Sequence, residues 1–224
     1  MTDITNRRPL KSRDAGWAKG LARNLASAGI SPDMVSFMSF AFAFVGACGL
    51  MASSQTFGGW RVLVLVIAAA AIQLRLVCNL LDGMVAVEHG KAGPLGPIWN
   101  ELPDRFSDVI LMVGAGLAAS PTGFSRALTL GWICALLAVL TAYVRELGRG
   151  LGLPADFSGP MAKPQRMAVL TVAALAATTE TRWRGRGLCL FIALAVIAAL
   201  AALTLLRRTR WLAQALRRQS GAEG

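Results

Sequence analysis

A short run of acidic and amide side chains is the part of this sequence whose residue types and spacing could do chemistry. Asn79 and Asp82 are three residues apart, and Asn100, Asp104 and Asp108 follow one another at intervals of four. On an α-helix, each of these two groups would project from one face. Carboxylates held close together need a compensating positive charge. Because the group contains oxygen donors and neither His nor Cys, it favours magnesium, manganese or calcium over zinc.

Small residues flank these oxygen donors. Gly83 and Ala86 follow Asp82, and Gly96 precedes Asn100. A small residue permits a ligand to approach where a larger side chain would intrude. Metal ions beside small residues suit a diphosphate ligand, whose charge they neutralise and whose leaving group they stabilise. The residues therefore indicate phosphoryl transfer.

The composition places this group in a membrane protein. Of the 224 residues, 55% are hydrophobic and 16% are charged, and the mean hydropathy is +0.54. A carboxylate near membrane depth is expensive unless it faces a cavity, a metal or a partner. We expect an all-α integral membrane protein with six transmembrane helices, since six runs approach the about 20 apolar residues that one crossing needs. The runs cover residues 34–52, 60–81, 104–120, 127–147, 166–179 and 188–206.

The basic residues indicate the orientation, because cytoplasmic loops beside membrane spans are enriched in Lys and Arg. Most of them lie in segments that share one side if the N-terminus is inside. Both termini and the active site are therefore expected on the cytoplasmic side of an inner or plasma membrane. The cluster Arg182, Arg184 and Arg186 opposes this assignment. The net charge of +11 lies beside the spans, so anionic lipids are the expected partner and nucleic acid is not.

The N-terminal segment is predicted to contain a short amphipathic helix. Trp17, Leu21 and Leu25 recur every fourth residue, as in a helix that lies at the membrane interface. A cap packed on the spans explains the same pattern equally well. Ser31 and Pro32 are suited to start the first span, as N-cap and first helical residue. Three parts are expected, an interfacial segment, a catalytic domain and a basic cytoplasmic tail, at residues 1–33, 34–206 and 207–224.

Each candidate residue also has an ordinary structural interpretation. Asn79 alone could be an amide that hydrogen-bonds between helices, and Gly83 a small packing residue of a membrane helix. Asp104 alone could cap a helix or pair with Arg105 or Arg75. The occurrence of all these residues in one ordered segment favours the functional interpretation.

At these residues the sequence resembles the CDP-alcohol phosphatidyltransferase family. The family signature reads Asp-x2-Asp-Gly-x2-Ala-Arg, eight residues, Gly-x3-Asp-x3-Asp. The corresponding residues, without a gap, are Asn79, Asp82, Gly83, Ala86, Val87, Gly96, Asn100 and Asp104. The resemblance extends to six helices, a preceding interfacial segment and the Ser-Pro-Asp start of the first span.

The resemblance implies a two-metal site with Mg²⁺ or Mn²⁺ that binds the diphosphate of a CDP-linked lipid. It further implies that the last aspartate acts as general base, so that an alcohol oxygen attacks phosphorus and CMP departs. By the same resemblance, Asp82 and Asp104 are metal ligands. The cytidine and diphosphate pocket is shaped by the small residues Gly83, Ala86 and Gly96.

Three departures from the signature affect this assignment. Asn79 and Asn100 are neutral amides where the family has aspartate, and Val87 replaces an arginine. A register shifted by four residues would restore both final acids as Asp104 and Asp108, so either can be the base. The expected metal ligands are accordingly Asn79, Asp82, Asn100, Asp104 and Asp108.

The loop between the fourth and fifth spans ends in Lys163 and Arg166. In proteins that resemble this one, basic residues of the corresponding region contact a phosphate of the acceptor or the lipid, and Arg is well suited to that contact. The positive-inside pattern explains both residues equally well.

The sequence therefore predicts a membrane enzyme that transfers a phosphatidyl group from a CDP-linked lipid such as CDP-diacylglycerol to an alcohol acceptor. The main alternative is a catalytically silent relative that binds CDP-lipid or divalent metal as a scaffold or sensor. A transporter is disfavoured because the acids cluster at one membrane face instead of the midplane. The acceptor is left open, and an exposed helical surface is compatible with a homodimer.

Overall fold

The chain folds into α-helices, which confirms the predicted all-α class. The computed structural model describes residues 13–88, 95–180 and 186–222. In chain order the helices are α1 Gly16–Ser27, α2 Pro32–Ala52, α3 Gly58–Glu88, α4 Gly96–Ala119, α5 Ala127–Gly150, α6 Lys163–Ala177 and α7 Leu188–Ala222. Each of the six predicted apolar runs lies within one of the helices α2 to α7 or overlaps most of it.

Four helices of the described part are long and apolar enough to cross a membrane, namely α2, α3, α5 and α7. The chain is therefore a multi-pass membrane protein. Helix α4 differs because it carries charged residues in its first half, from Glu101 to Asp108, and α6 differs because it has only 15 residues. The prediction of six crossings is thus supported directly for four helices.

Helix α2 begins as its sequence predicts. The Ser31 side chain accepts a hydrogen bond from the backbone N–H of Met34 at 3.2 Å, and Pro32 occupies the first helical turn. Asp33 lies in the same turn, where its negative charge is favourable beside the positive end of the helix dipole. The predicted N-cap at Ser31 is confirmed.

Helix α1 packs on the bundle by its small residues and exposes its large ones. Ala18 and Ala22 are fully buried in a cluster with the second half of α3, and Leu25 is partly buried against that cluster. Trp17 is 55% exposed and Leu21 is 40% exposed. The helix therefore combines features of both alternatives for this segment, since it caps the bundle and presents an apolar outer face.

Helix α4 is held closely between α2 and α5 at glycines. A Cβ atom at Gly114 would lie 3.2 Å from the Cβ of Ala47 in α2. On the α5 side, a Cβ at Gly131 would lie 2.7 Å from the carbonyl oxygen of Met112. Small residues at helix contacts let membrane helices approach one another closely. The position of α4, which carries four of the candidate residues, is therefore set by backbone contact.

We expect Gly131→Ala to destabilise the protein by about 1–3 kcal/mol, because the added methyl group forces α4 and α5 apart in a packed core. Unfolding of the purified protein by heat or by SDS measures this loss. Gly20→Ala in α1 is the matched control, since a Cβ there meets nothing within 4 Å. Equal stability of the two variants would contradict the close contact of α4 with α5.

A buried ion pair closes the end of the bundle that lies opposite to the candidate residues. Arg61, at the start of α3, is 2% exposed. Its guanidinium lies 2.6 Å from a carboxylate oxygen of Glu180 and donates to the carbonyl of Ala177 at 2.5 Å. Glu180 also accepts hydrogen bonds from the backbone N–H groups of Gly187 and Cys189. Arg61 and Glu180 therefore compensate each other's charge within the protein.

Arg186 has a structural role at the same end. It donates to the backbone oxygen of Thr56 and lies 4.2 Å from the ring centroid of Phe57. It thereby ties the start of α7 to the loop between α2 and α3. The other two arginines of the cluster that opposed the orientation, Arg182 and Arg184, lie outside the described residues.

Helix α7 continues without a break from the predicted last span into the predicted basic tail. Arg208, in this continuation, is buried and donates to the carbonyl oxygens of Thr141 at 2.9 Å and Ser158 at 3.0 Å. The first part of the tail is therefore packed on α5 and on the loop that leads to α6.

Candidate active site

Side chains of α3 and α4 meet at one end of the bundle. The Asn79 side-chain amide donates to an oxygen of Asp104 at 2.7 Å. Asp82 lies almost one turn further along α3, within electrostatic range of Asp104 and Lys163. Asp108 lies one turn beyond Asp104 on α4. The structure therefore brings together the acidic residues of the two segments that the sequence singled out.

Asp82 is buried and is held by neutral donors. One carboxylate oxygen accepts from the hydroxyl of Ser36 at 2.8 Å, and the other accepts from the backbone N–H of Gly83 at 2.5 Å. Ser39, one turn along α2 from Ser36, donates to the Asn79 oxygen at 2.5 Å. Asp82 forms no ion pair with the cations of the described residues, which distinguishes it from the two aspartates of α4.

Arg75 lies at the centre of the site and is completely buried. Its guanidinium is 2.8 Å from an oxygen of Asp108 and 3.4 Å from an oxygen of Asp104. It also contacts the sulfur of Met167 in α6 at 3.0 Å. Arg105 is further from Asp104, at 3.9 Å. The structural interpretation of Asp104 as a partner of Arg75 is therefore correct.

Two basic residues of α6 complete the site. Arg166 lies 2.8 Å from the second oxygen of Asp108 and donates to the carbonyl of Met161. Lys163 forms an ion pair with Asp104. Both oxygens of Asp108 are thus paired with arginine, and the residue is fully buried, whereas Asp104 is 9% exposed.

An ion-pair network borders the site on its exposed side. Glu101 pairs with Arg145 of α5 at 2.7 Å and with Arg105 at 3.1 Å. Glu146 pairs with both Arg145 and Arg149 at 2.8 Å. These side chains are partly exposed, so the network is a polar rim around the buried aspartates.

The remaining candidates lie around this centre. Gly83 and Ala86 are partly buried in the last turns of α3. Gly96 begins α4, and a Cβ there would meet nothing within 4 Å. The side chains of Asn100 and Val87 lie outside the described part of the structure, so their contacts are not assigned.

The donors among the described residues do not fit the two-ion site that the resemblance implies. Among the described residues, no group of three or more His, Cys, Asp or Glu side chains could hold a metal ion. Instead, Arg75, Arg166 and Lys163 bind the carboxylates of Asp104 and Asp108. The Asn79 oxygen, the replacement for one acid, is in turn bonded to a serine.

Sequence reasoning missed two residues that build this site, Ser36 and Ser39, and it named Arg75 only as a possible partner of Asp104. The sequence contains a signal for Arg75, since it is a charged residue inside an apolar run and lies four residues before Asn79. The two serines are three residues apart in the first apolar run. That spacing places them on one helix face but does not reveal which residues they contact.

The sequence is similar to those of known proteins. No family model matches the sequence. The chain is 32% identical over 152 residues to a bifunctional IPC transferase and DIPP synthase of Rubrobacter xylanophilus, which covers 65% of this chain and 31% of that protein. It is 24% identical over 192 residues to the phosphatidylinositol phosphate synthase of Mycolicibacterium smegmatis, which covers 85% of this chain and 81% of that protein. The chain thus spans about a third of the first relative's length and most of the second's.

Solved structures share the fold. The Mycobacterium tuberculosis phosphatidylinositol phosphate synthase in complex with manganese and citrate matches with a TM-score of 0.70 and 20% identity, over 87% of this chain and 88% of that chain. The same enzyme with CDP-DAG bound matches with a TM-score of 0.69 and 20% identity, over 88% and 94%. At this identity the match shows a common fold.

Proposed function

We propose that this chain, which is homologous to the phosphatidylinositol phosphate synthases of the CDP-alcohol phosphatidyltransferase family, transfers a phosphatidyl group from a CDP-linked lipid to an alcohol and releases CMP. The observation that carries the proposal is that Asp82 of α3 lies within electrostatic range of Asp104 of α4 at one end of a membrane bundle. CDP-diacylglycerol is the proposed donor, because the M. tuberculosis relative has been solved with CDP-DAG bound.

In the proposed reaction, the alcohol oxygen forms a bond to the phosphatidyl phosphorus, and the bond between that phosphorus and the CMP oxygen breaks. The alcohol proton passes to a carboxylate. We assign this base to Asp104 in preference to Asp108, because Asp104 is 9% exposed at the edge of the site and Asp108 is fully buried between two arginines. A base must be within reach of the proton that it removes.

Positive charge beside the transferred group is the second requirement, since catalysis of phosphoryl transfer consists mainly of positioning and electrostatic stabilisation. Lys163 is suited to bind phosphate because its side chain is 24% exposed and its ammonium group sits on a flexible stem. Arg166 is less suited to the substrate contact expected from the sequence. Its guanidinium is buried against Asp108 and Met161, so we assign it to holding Asp108 in place.

The metal ion and the arrangement of the chain in the membrane are also proposed. Mg²⁺ or Mn²⁺ is the proposed metal, in keeping with the manganese complex of the relative. We propose that α2 to α7 all cross the membrane, that α1 lies at its inner surface with Trp17 and Leu21 toward lipid, and that both termini are cytoplasmic. A homodimer and the three-part division at residues 33 and 206 also belong to the proposal.

Release of CMP tests the function directly. The purified protein in detergent is incubated with CDP-diacylglycerol, Mg²⁺ or Mn²⁺ and a panel of alcohols that includes inositol phosphate, inositol, glycerol phosphate, serine and choline. CMP that appears only with one acceptor supports the proposal and identifies that acceptor. Binding of CDP-diacylglycerol without CMP release, under every condition, would favour the scaffold or sensor that the two amide substitutions suggest.

We expect Ser36→Ala to lower the rate of CMP release about tenfold, which corresponds to the loss of one hydrogen bond to a charged group. The hydroxyl orients Asp82, so its removal leaves the carboxylate in place but less ordered. Ser54→Ala is the matched control, because the exposed hydroxyl of Ser54 bonds only a local carbonyl at the opposite end of the bundle. A wild-type rate for Ser36→Ala would show that this hydrogen bond has no role in the reaction.

A further inference from the structure

We infer that Lys163 supplies, as an ammonium tethered to the chain, the positive charge that a second divalent ion would supply, so that the site binds at most one Mg²⁺ or Mn²⁺. The inference rests on the proposed function and narrows it. The resemblance implies two metal ions, whereas in the inferred site a cation of the protein supplies part of the positive charge.

The first support is the occupation of the carboxylate oxygens. One oxygen of Asp104 accepts from Asn79 and lies within ion-pair distance of Arg75. The other oxygen is paired with Lys163. Asp108 is engaged by arginine at both oxygens. A divalent ion at either residue would have to displace a protein cation.

The second support is the charge of the buried centre. Among the described residues, Asp82, Asp104, Asp108, Arg75 and Arg166 are buried, and the partly exposed Lys163 and Arg105 lie within ion-pair distance of Asp104. The four cations therefore already compensate the three carboxylates. Two divalent ions would add four positive charges to this cluster, and uncompensated buried charge is strongly destabilising. One divalent ion that binds together with a diphosphate is compensated by the negative charge of the diphosphate.

Asp82 is the carboxylate to which we assign the single ion. It forms no ion pair with the described cations, and its hydrogen bonds come from the neutral donors Ser36 and Gly83. Each carboxylate oxygen has two lone pairs, so these two bonds leave acceptor capacity. Asn79 is a poorer donor for a second ion because its oxygen is bonded to Ser39.

The number of bound Mn²⁺ ions tests the inference without relying on turnover. The purified full chain with CDP-diacylglycerol is titrated with Mn²⁺, and the free ion is followed by its electron paramagnetic resonance signal. We expect no more than one Mn²⁺ per chain. Two bound Mn²⁺ ions per chain in the unaltered protein would overturn the inference.

Substitutions at the lysine sharpen the test. Lys163→Met frees an oxygen of Asp104, so we expect Mn²⁺ to bind at least tenfold more tightly, and we expect a second bound ion when Asn79→Asp is added. Lys163→Arg keeps the charge and should retain the original affinity and count. Lys19→Met, at an exposed lysine of α1, controls for the loss of a positive charge elsewhere.

The outcomes separate this inference from the function on which it rests. Unchanged Mn²⁺ affinity in Lys163→Met, with the elution volume of the folded protein, would overturn the inference. A tenfold gain in Mn²⁺ affinity in Lys163→Arg would also overturn the inference, irrespective of the result for Lys163→Met. CMP release measured on the same samples is read separately: release with two bound ions leaves the function standing, and one bound ion without release leaves the inference standing.

Discussion

Asp82→Asn is expected to lower CMP release from CDP-diacylglycerol by about a thousandfold, the scale on which one electrostatic group at a reaction centre acts. Asp82 is the buried carboxylate that has no cation partner among the described residues. Its negative charge is therefore available to interact with a metal ion or the substrate. The substitution keeps the shape of the side chain and removes only that charge. Initial rates with the best acceptor of the panel measure the loss.

The same substitution is expected to leave the protein folded, with a melting temperature equal to or above that of the unaltered chain. The physical reason is that a buried charge without an ionic partner costs free energy, and Asn removes it. Asp33→Asn is the control, since Asp33 lies in the first turn of α2 at the same end of the bundle and should retain full activity. Turnover by Asp82→Asn at the rate of this control would count decisively against the proposed reaction.

Arg75→Met is expected to cost about 3–5 kcal/mol of folding free energy, the range for removing one partner of a buried ion pair. The guanidinium is the shared partner of Asp104 and Asp108, and it is completely buried. Its removal leaves carboxylate charge without compensation in the bundle interior. Unfolding by SDS or by heat, with helix content followed by circular dichroism, measures the cost.

Two comparisons isolate the cause of that loss. Asp108→Asn in the Arg75→Met background should recover part of the stability, because it removes one of the uncompensated charges. Arg149→Met, at an exposed ion pair with Glu146, should change stability by less than about 1 kcal/mol. Strictly additive losses in the double variant would show that Arg75 and Asp108 do not stabilise each other.

The elements of the fold could be predicted closely from the sequence, because burial in lipid demands long apolar helices. The run at residues 127–147, for example, became α5, and the Ser31 N-cap formed as expected. The number of crossings is supported for four helices and not for six, because α4 carries several charged residues and α6 has only 15 residues.

Within the site, spacing along one helix predicted which residues share a face, and it could not predict partners from other helices. The pairing of Asp104 with Lys163 joins residues 59 positions apart, and that of Asp82 with Ser36 joins residues 46 positions apart. Such contacts depend on how α2, α3, α4 and α6 pack. For that reason the sequence suggested metal ions for the carboxylates, whereas the structure offers them cations of the chain itself.

The glycine contacts of α4 have a consequence for how such a site could work. A helix pressed against backbone on two sides, at Gly114 and Gly131, has little freedom to tilt or slide. The aspartates of α4 are therefore held in fixed positions, whereas the long side chain of Lys163 can change its rotamer. In the proposed reaction, Lys163 would adjust to different headgroups, and the aspartates would keep the distance between donor and acceptor constant.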